Sequence, residues 1–197
     1  MEFMKALAKR RSVYALGNDL DLPDEAIADM IGECVKLTPS AFNAQNQRVV
    51  VMFGKHHERL WDIVFEEVKK VAPEEQLASS KEKIDGFKAA RGSVLFFDEQ
   101  TITHDLMERF PLYKENFKRW SIEQLAMLQN NVWARLAEND IGASLQHYGT
   151  LIETRIKEEY QVPDTWKLYA QMPFGNILEK PESKEKEPID KRMMVLY

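Results

Sequence analysis

Three stretches of the chain carry side chains whose types and spacing suit work on a bound small molecule. In "KRRSVY", Arg10 and Arg11 offer two guanidinium forks and Ser12 adds a hydroxyl. A guanidinium holds its N–H donors in one plane, so it can meet two oxygens of a phosphate at once. In "LTPSAFNAQNQR", the residues Pro39, Ser40, Asn43, Gln45, Asn46 and Gln47 crowd neutral hydrogen-bonding groups together with hardly a charge among them. Amides and hydroxyls at such a junction can satisfy both the donors and the acceptors of a flat heterocycle. In "GASLQHYG", Gln146, His147 and Tyr148 stand at a strand end before a helix. Each stretch also has a plain structural explanation. The first is a basic helix end complementing its dipole, the second a loop that stops a helix, and the third a histidine satisfied within the fold.

The signatures of other chemistries are missing. No GxGxxG follows a strand, no GxxxxGK precedes Ser or Thr, and no GxSxG elbow occurs. His56, His57, His104 and His147 lack the spacing of a zinc helix, and the lone Cys34 cannot build a Cys-rich metal site. No metal and no catalytic nucleophile is expected. Neighbouring acids such as Glu66 and Glu67 read as solvated helix faces.

The elements that must position these stretches follow from periodicity. A short helix covers residues 1–10. Pro23 opens a second, in which Ile27, Met30, Ile31, Cys34 and Val35 keep the spacing of one buried face until Pro39 stops it. Val49 to Phe53 reads as an interior strand. Helices follow over residues 57–71 and 74–90, and then "SVLFF" gives a buried strand at residues 93–97. The aromatic-rich piece from Asp98 to Trp120 predicts broken helix and loop. Ser121 with Gln124 predicts a capping box opening a long helix, and Thr150 with Glu153 predicts another. "WKLYAQMPFG" supplies a strand ending at Gly175, and "RMMVLY" a final strand. Helices interspersed with about five strands predict one α+β domain over residues 1–197.

Bulk properties set the wider bounds. The chain has 197 residues, 44% of them hydrophobic, which is ample for a core, so disorder is not expected. A formal charge of −5 argues against a nucleic-acid partner, because phosphate backbones demand a basic surface. No segment approaches the roughly 18 consecutive apolar residues of a membrane span, and the first residues lack the order of a secretory signal. A cytoplasmic location without membrane attachment is the expectation.

Taken in order, "RRSVY", "PSAFNAQNQR", "GASLQHYG", "AQMPFG" and "DKRMMVLY" resemble the nitroreductase family of flavin enzymes. The similarity is greatest to the branch named after the fatty acid repression mutant protein. It spans essentially the whole chain. It implies a nitroreductase-like α+β homodimer with a mostly antiparallel central sheet flanked by helices, FMN at the subunit interface, and NAD(P)H as co-substrate. Two electrons would pass to a nitroaromatic or quinone-type small-molecule acceptor by a ping-pong mechanism. The resemblance places Pro39, Ser40, Ala41, Asn43 and Gln45 against the flavin ring, from the neighbouring subunit. It places Arg10 and Arg192 on the phosphate, with Arg11 and Ser12 beside phosphate, ribityl or ring edge. Gln146, His147 and Tyr148 match the segment near the reactive N5, and Gly175 the turn that ends a strand near the cofactor. Arg11, and after it Ser40, are the candidates to stabilise charge on the reduced ring.

The chain departs from the family pattern at two places. "NAQNQR" stands where many members read "NSQPW", and Met194 stands where a basic residue often follows the terminal arginine. Lys184 or Lys191 would then assist at the phosphate. Two other readings stay open: a flavin-binding regulatory or redox-sensing protein with little turnover, and a cofactor-free helical interaction domain.

Overall fold

The computed structural model describes residues 2–197. Along the chain run α1 (Glu2–Lys9), β1 (Leu16–Gly17), α2 (Asp24–Leu37), β2 (Gln47–Phe53), α3 (Gly54–Val71), α4 (Glu74–Lys88) and β3 (Gly92–Glu99). Then come α5 (Gln100–Arg109), α6 (Lys114–Glu138), β4 (Ile141–Ala143), α7 (Gly149–Tyr160) and β5 (Trp166–Ile177). The strands pair antiparallel in the order β1-β5-β3-β2, with β4 also paired to β5. This is the expected α+β arrangement.

The apolar run of β3 explains the layering. A strand covered on both faces needs apolar side chains at every position, and β3 is buried from Gly92 to Asp98. Successive side chains point to opposite faces. Leu95 and Phe97 therefore join one cluster with Trp61, Ile63 and Val64 of α3 and Ile152 and Ile156 of α7. Val94 and Phe96 join the other, with Ile27 and Ile31 of α2 and Leu125, Leu128 and Val132 of α6. On β5, Leu168 packs in the first cluster and Ala170 in the second, although two residues apart they should share a face. A bulge explains it. Phe96 pairs with Ala170 and Phe97 with Leu168, which leaves Tyr169 as the extra residue and flips the parity.

Several expectations change. β2 lies at the end of the strand order and most of its residues are only partly buried, so it is an edge strand and not an interior one. A β-branched run suits either position. Helix α6 starts at Lys114, seven residues before the expected capping box. Ser121 sits inside it, its hydroxyl donating to Lys118 O at 3.0 Å. The first turns of α6 gain their place from tertiary packing of Phe117 and Trp120. Thr150 does not cap α7 either, because that helix begins at Gly149 with Tyr148 before it.

Strand β5 continues past Gly175 to Ile177. Gly175 is buried within it, where a Cβ would lie 2.0 Å from Gly17 O. Close approach of β1 therefore demands glycine here. Residues 193–197 form no strand; Met194 and Leu196 are 83% and 87% exposed. Among the described residues, no helix is long and apolar enough to cross a membrane.

Candidate functional site

Helix α1 ends where Arg10 N–H donates to Ala6 O at 2.8 Å, and the chain then turns alongside β4. Ser12 and Ala143 form a parallel bridge, closed by Val13 N–H donating to Ala143 O at 2.9 Å. The first and third stretches of the sequence are thereby held side by side. Beyond Ala143, Gln146 and Gln171 exchange backbone hydrogen bonds of 2.7 and 2.9 Å. Pairing alternates along such an edge, and the amides of Leu145 and His147 donate to no group among the described residues. Gln171 supports the same turn, its Oε1 accepting from Tyr148 N–H at 2.8 Å. Its Nε2 is the one buried side-chain donor without a partner among the described residues. Burial raises the Tyr148 phenol above its ordinary pKa.

The arginines differ in what they hold. Arg11 donates to Glu182 O at 2.7 Å and so ties the C-terminal segment to this corner. Arg10 lies over the Trp133 ring, 4.5 Å from its centroid. The Arg10 guanidinium makes no hydrogen bond or ion pair among the described residues. Arg192 follows a single turn at Ile189–Lys191 and is exposed, while Lys191 pairs with Glu187 at 3.3 Å.

The second stretch is built differently. Its most buried residues, Asn46 and Gln47, bond to the protein itself. Asn46 donates through Nδ2 to Asp98 Oδ1 and, at 3.1 Å, to Thr103 Oγ1, while its Oδ1 accepts from Gln124 Nε2. Gln124 Oε1 in turn accepts from Ala41 N–H at 2.9 Å, and Gln100 Nε2 donates to Asp98 Oδ2. Burial raises the Asp98 pKa, and the hydrogen bonds from Thr103, Asn46 and Gln100 only partly offset it. This network latches the loop to β3, α5 and α6. Gln47 adds a bond from Nε2 to Pro39 O at 3.2 Å.

The latch leaves the other residues of the loop accessible. Pro39, Asn43 and Gln45 are exposed, and Ser40 and Ala41 half-buried. Phe42, Asn43 and Gln45 all carry positive φ, at 55°, 51° and 49°. Left-handed backbone at non-glycine residues costs about 1–3 kcal/mol each and gathers at functional sites. Phe42 is held there by four rings, with centroids at 5.0 Å (Phe110), 5.2 Å (Phe117), 6.2 Å (Trp120) and 6.3 Å (Tyr113). The aromatic excess between Phe110 and Trp120 thus surrounds the loop.

One chain does not unite all three stretches. Among the described residues, no hydrogen bond or ion pair joins 39–45 to 10–12 or to 146–148. Both groups rest on α6, Ala41 at Gln124 and Arg10 at Trp133, and nine residues of helix separate those stations by about 14 Å. Asp98 and Trp133 stand outside every motif and look like ordinary strand and helix residues. Asn46, Gln124 and Gln171 stand in marked stretches, but the contacts they make here join residues far apart in the chain.

Comparison with known proteins agrees with this geometry. The sequence profile of the Nitroreductase family matches residues 7–176. Nitroreductase CinD from Lactococcus lactis, solved in complex with nicotinic acid, is 38% identical, with a TM-score of 0.92 over 99% of this chain and 100% of that one. The same protein has been solved with chloramphenicol and with 4-nitrophenol. The nitroreductase FRM2 of Saccharomyces cerevisiae is 29% identical over 186 residues, 92% of this chain and 91% of its own. A nitroreductase from Desulfitobacterium hafniense with bound FMN shares the fold at 15% identity, with a TM-score of 0.74 over 100% and 99% of the two chains. Ordered motifs, fold and near full-length similarity converge: the chain belongs to the nitroreductase family of oxidoreductases.

Proposed function

We propose that this protein is an FMN-dependent oxidoreductase that passes two electrons from NAD(P)H to nitroaromatic or quinone-type acceptors in ping-pong order. The reading is carried by the pairing of Ser12 with Ala143, which brings an arginine with unspent donors beside a strand edge with unspent amides. FMN, when bound, supplies the redox chemistry, since its ring takes up hydride and later releases electrons. The residues fit such a group. Among the described residues Arg10 has no acceptor of its own and the Gln171 Nε2 donor, beside residues 146–148, has no partner, while the strained loop keeps neutral groups accessible.

In this reading, Arg10 and Arg192 hold the phosphate, and Ser12 lies beside it. Pro39, Ser40, Ala41, Asn43 and Gln45 of a second copy line the ring. Gln146, His147 and Tyr148 border its reactive edge, with Gly175 in the strand behind them. Arg11 stabilises negative charge at the ring edge, with Ser40 in support. The structures of CinD with 4-nitrophenol and chloramphenicol support a site for small nitro compounds.

Under anaerobic conditions, NADH or NADPH should bleach the flavin absorption of the purified protein within a turnover. A nitroaromatic or quinone should then restore it. Slow or absent bleaching of a yellow protein would replace this reading with a regulatory one, and a colourless protein that takes up no FMN would remove the flavin altogether.

A second copy has a place to attach. Residues Met193 to Tyr197 are all at least half exposed and apolar or aromatic, with no strand partner. Burying such side chains stabilises by roughly 1.5–3 kcal/mol each. Sedimentation should show a dimer at micromolar concentration. Deleting residues 193–197 should shift it toward monomer and lower FMN retention. A truncated chain that still sediments as a flavin-bearing dimer would exclude the tail from the interface.

A further inference from the structure

We propose that Trp133 is the positioning residue for the cofactor phosphate: it presents Arg10 with its hydrogen-bonding donors free. The proposal rests on the FMN reading above and goes beyond it, to a residue outside every motif of the sequence.

The indole does two things at once. Its Nε1–H donates to Ala143 O at 3.2 Å, the same carbonyl that accepts from Val13 N–H. Its ring face carries the Arg10 guanidinium at 4.5 Å. One side chain of α6 therefore sets both the strand edge at Ala143 and the cation beside it. Tryptophan combines the strongest cation–π face with a donor in the ring plane. A carboxylate beside Arg10 would not serve the same end, because it would occupy the fork that a phosphate needs. A cation–π contact attracts the guanidinium through the ring's quadrupole and consumes none of its N–H donors. The free arginine side chain would otherwise sample many rotamers, and fixing it before the ligand arrives removes that entropic cost from binding. Half-burial of both residues limits competition from water.

The test loads the full chain with FMN or with riboflavin and reads both dissociation constants from flavin fluorescence. Trp133→Met keeps bulk and removes the aromatic face; Trp133→Phe keeps the face and loses the N–H. Trp133→Met should weaken FMN about three- to tenfold, the range of one cation–π contact, and leave riboflavin within about twofold. Trp133→Phe should recover most of the FMN affinity. In an Arg10→Ala background, Trp133→Met should change FMN binding no further. Equal losses for FMN and riboflavin, or an undiminished effect without Arg10, would make Trp133 merely structural and overturn the proposal. Unchanged FMN affinity in Trp133→Met would also overturn it. Failure of the underlying reading looks different: Arg10→Ala alone would then treat FMN and riboflavin alike.

Discussion

Replacing Arg10 with alanine is expected to weaken FMN binding about 30- to 150-fold and to leave riboflavin binding within about twofold. The argument starts from what Arg10 does without a ligand. Its guanidinium lies on the Trp133 face and makes no hydrogen bond or ion pair among the described residues, so its removal breaks none of these and leaves no buried partner stranded. The loss should therefore fall on the ligand. Hydrogen bonds to a charged group contribute about 1.5–3 kcal/mol, and about 2–3 kcal/mol for a phosphate fork corresponds to the stated range at 1.4 kcal/mol per decade. Riboflavin has the same ring and ribityl chain and no phosphate, so it isolates the anionic contact. Arg10→Lys should recover part of the affinity, because a lysine keeps the charge and loses the planar fork. Parallel losses for both ligands would assign Arg10 to the structure of the α1 end.

Much of this site is legible in the chain because its signals are local. The buried face of α2, the all-apolar core of β3 and the five ordered motifs need no knowledge of distant contacts. What escaped depends on contacts between residues far apart in the chain. Asn46 meets Asp98 across 52 positions and Gln124 across 78, so the latch beneath the loop has no local pattern. Ser121 and Gln124 have capping-box spacing, yet packing of Phe117 and Trp120 against Phe42 extends the helix past them. The piece from Asp98 to Trp120 is broken as expected, because α5 ends at Arg109 and Phe110 leaves helical backbone. Pro111 then opens a single turn at Pro111–Tyr113 that leads straight into α6, as its fixed φ and missing N–H allow at a helix start. The terminal apolar run has strand propensity, but a strand forms only against a partner edge, and residues 193–197 pair with none among the described residues.

Lowering the pH from 7 to 4 should cost the fold about 3 kcal/mol through His57 alone, with about 2 kcal/mol of it lost by pH 5. His57 is 1% exposed at the start of α3. Trp61 Nε1–H donates to Ser93 Oγ at 3.1 Å, which leaves the Ser93 hydroxyl to donate to His57 Nδ1 at 3.0 Å. His57 Nε2–H then donates to Lys88 O at 3.2 Å. Every site on the neutral ring is used, and a second proton would find no acceptor at Nδ1. Burial, with the nearby Lys88 charge, lowers its pKa to about 4. The unfolded chain takes up that proton near pH 6.5 and the folded one only near pH 4, so stability is fully present above 6.5 and falls between the two values. Asp98 acts in the opposite sense, because its raised pKa lets the folded state take a proton first as the pH drops. The carboxylates of Glu66 and Glu99, held below their ordinary range, lose their contribution only under about pH 4.5. From pH 7 to 5 those two glutamates are silent, and proton uptake at Asp98 is common to the parent chain and a His57 variant, so the difference between the two reports His57. Urea unfolding across this interval should show a slope in the parent chain that His57→Gln largely abolishes, although the variant starts from lower stability at pH 7. Equal slopes in the two proteins would mean that His57 already carries its proton in the folded state, or that it titrates alike whether folded or unfolded.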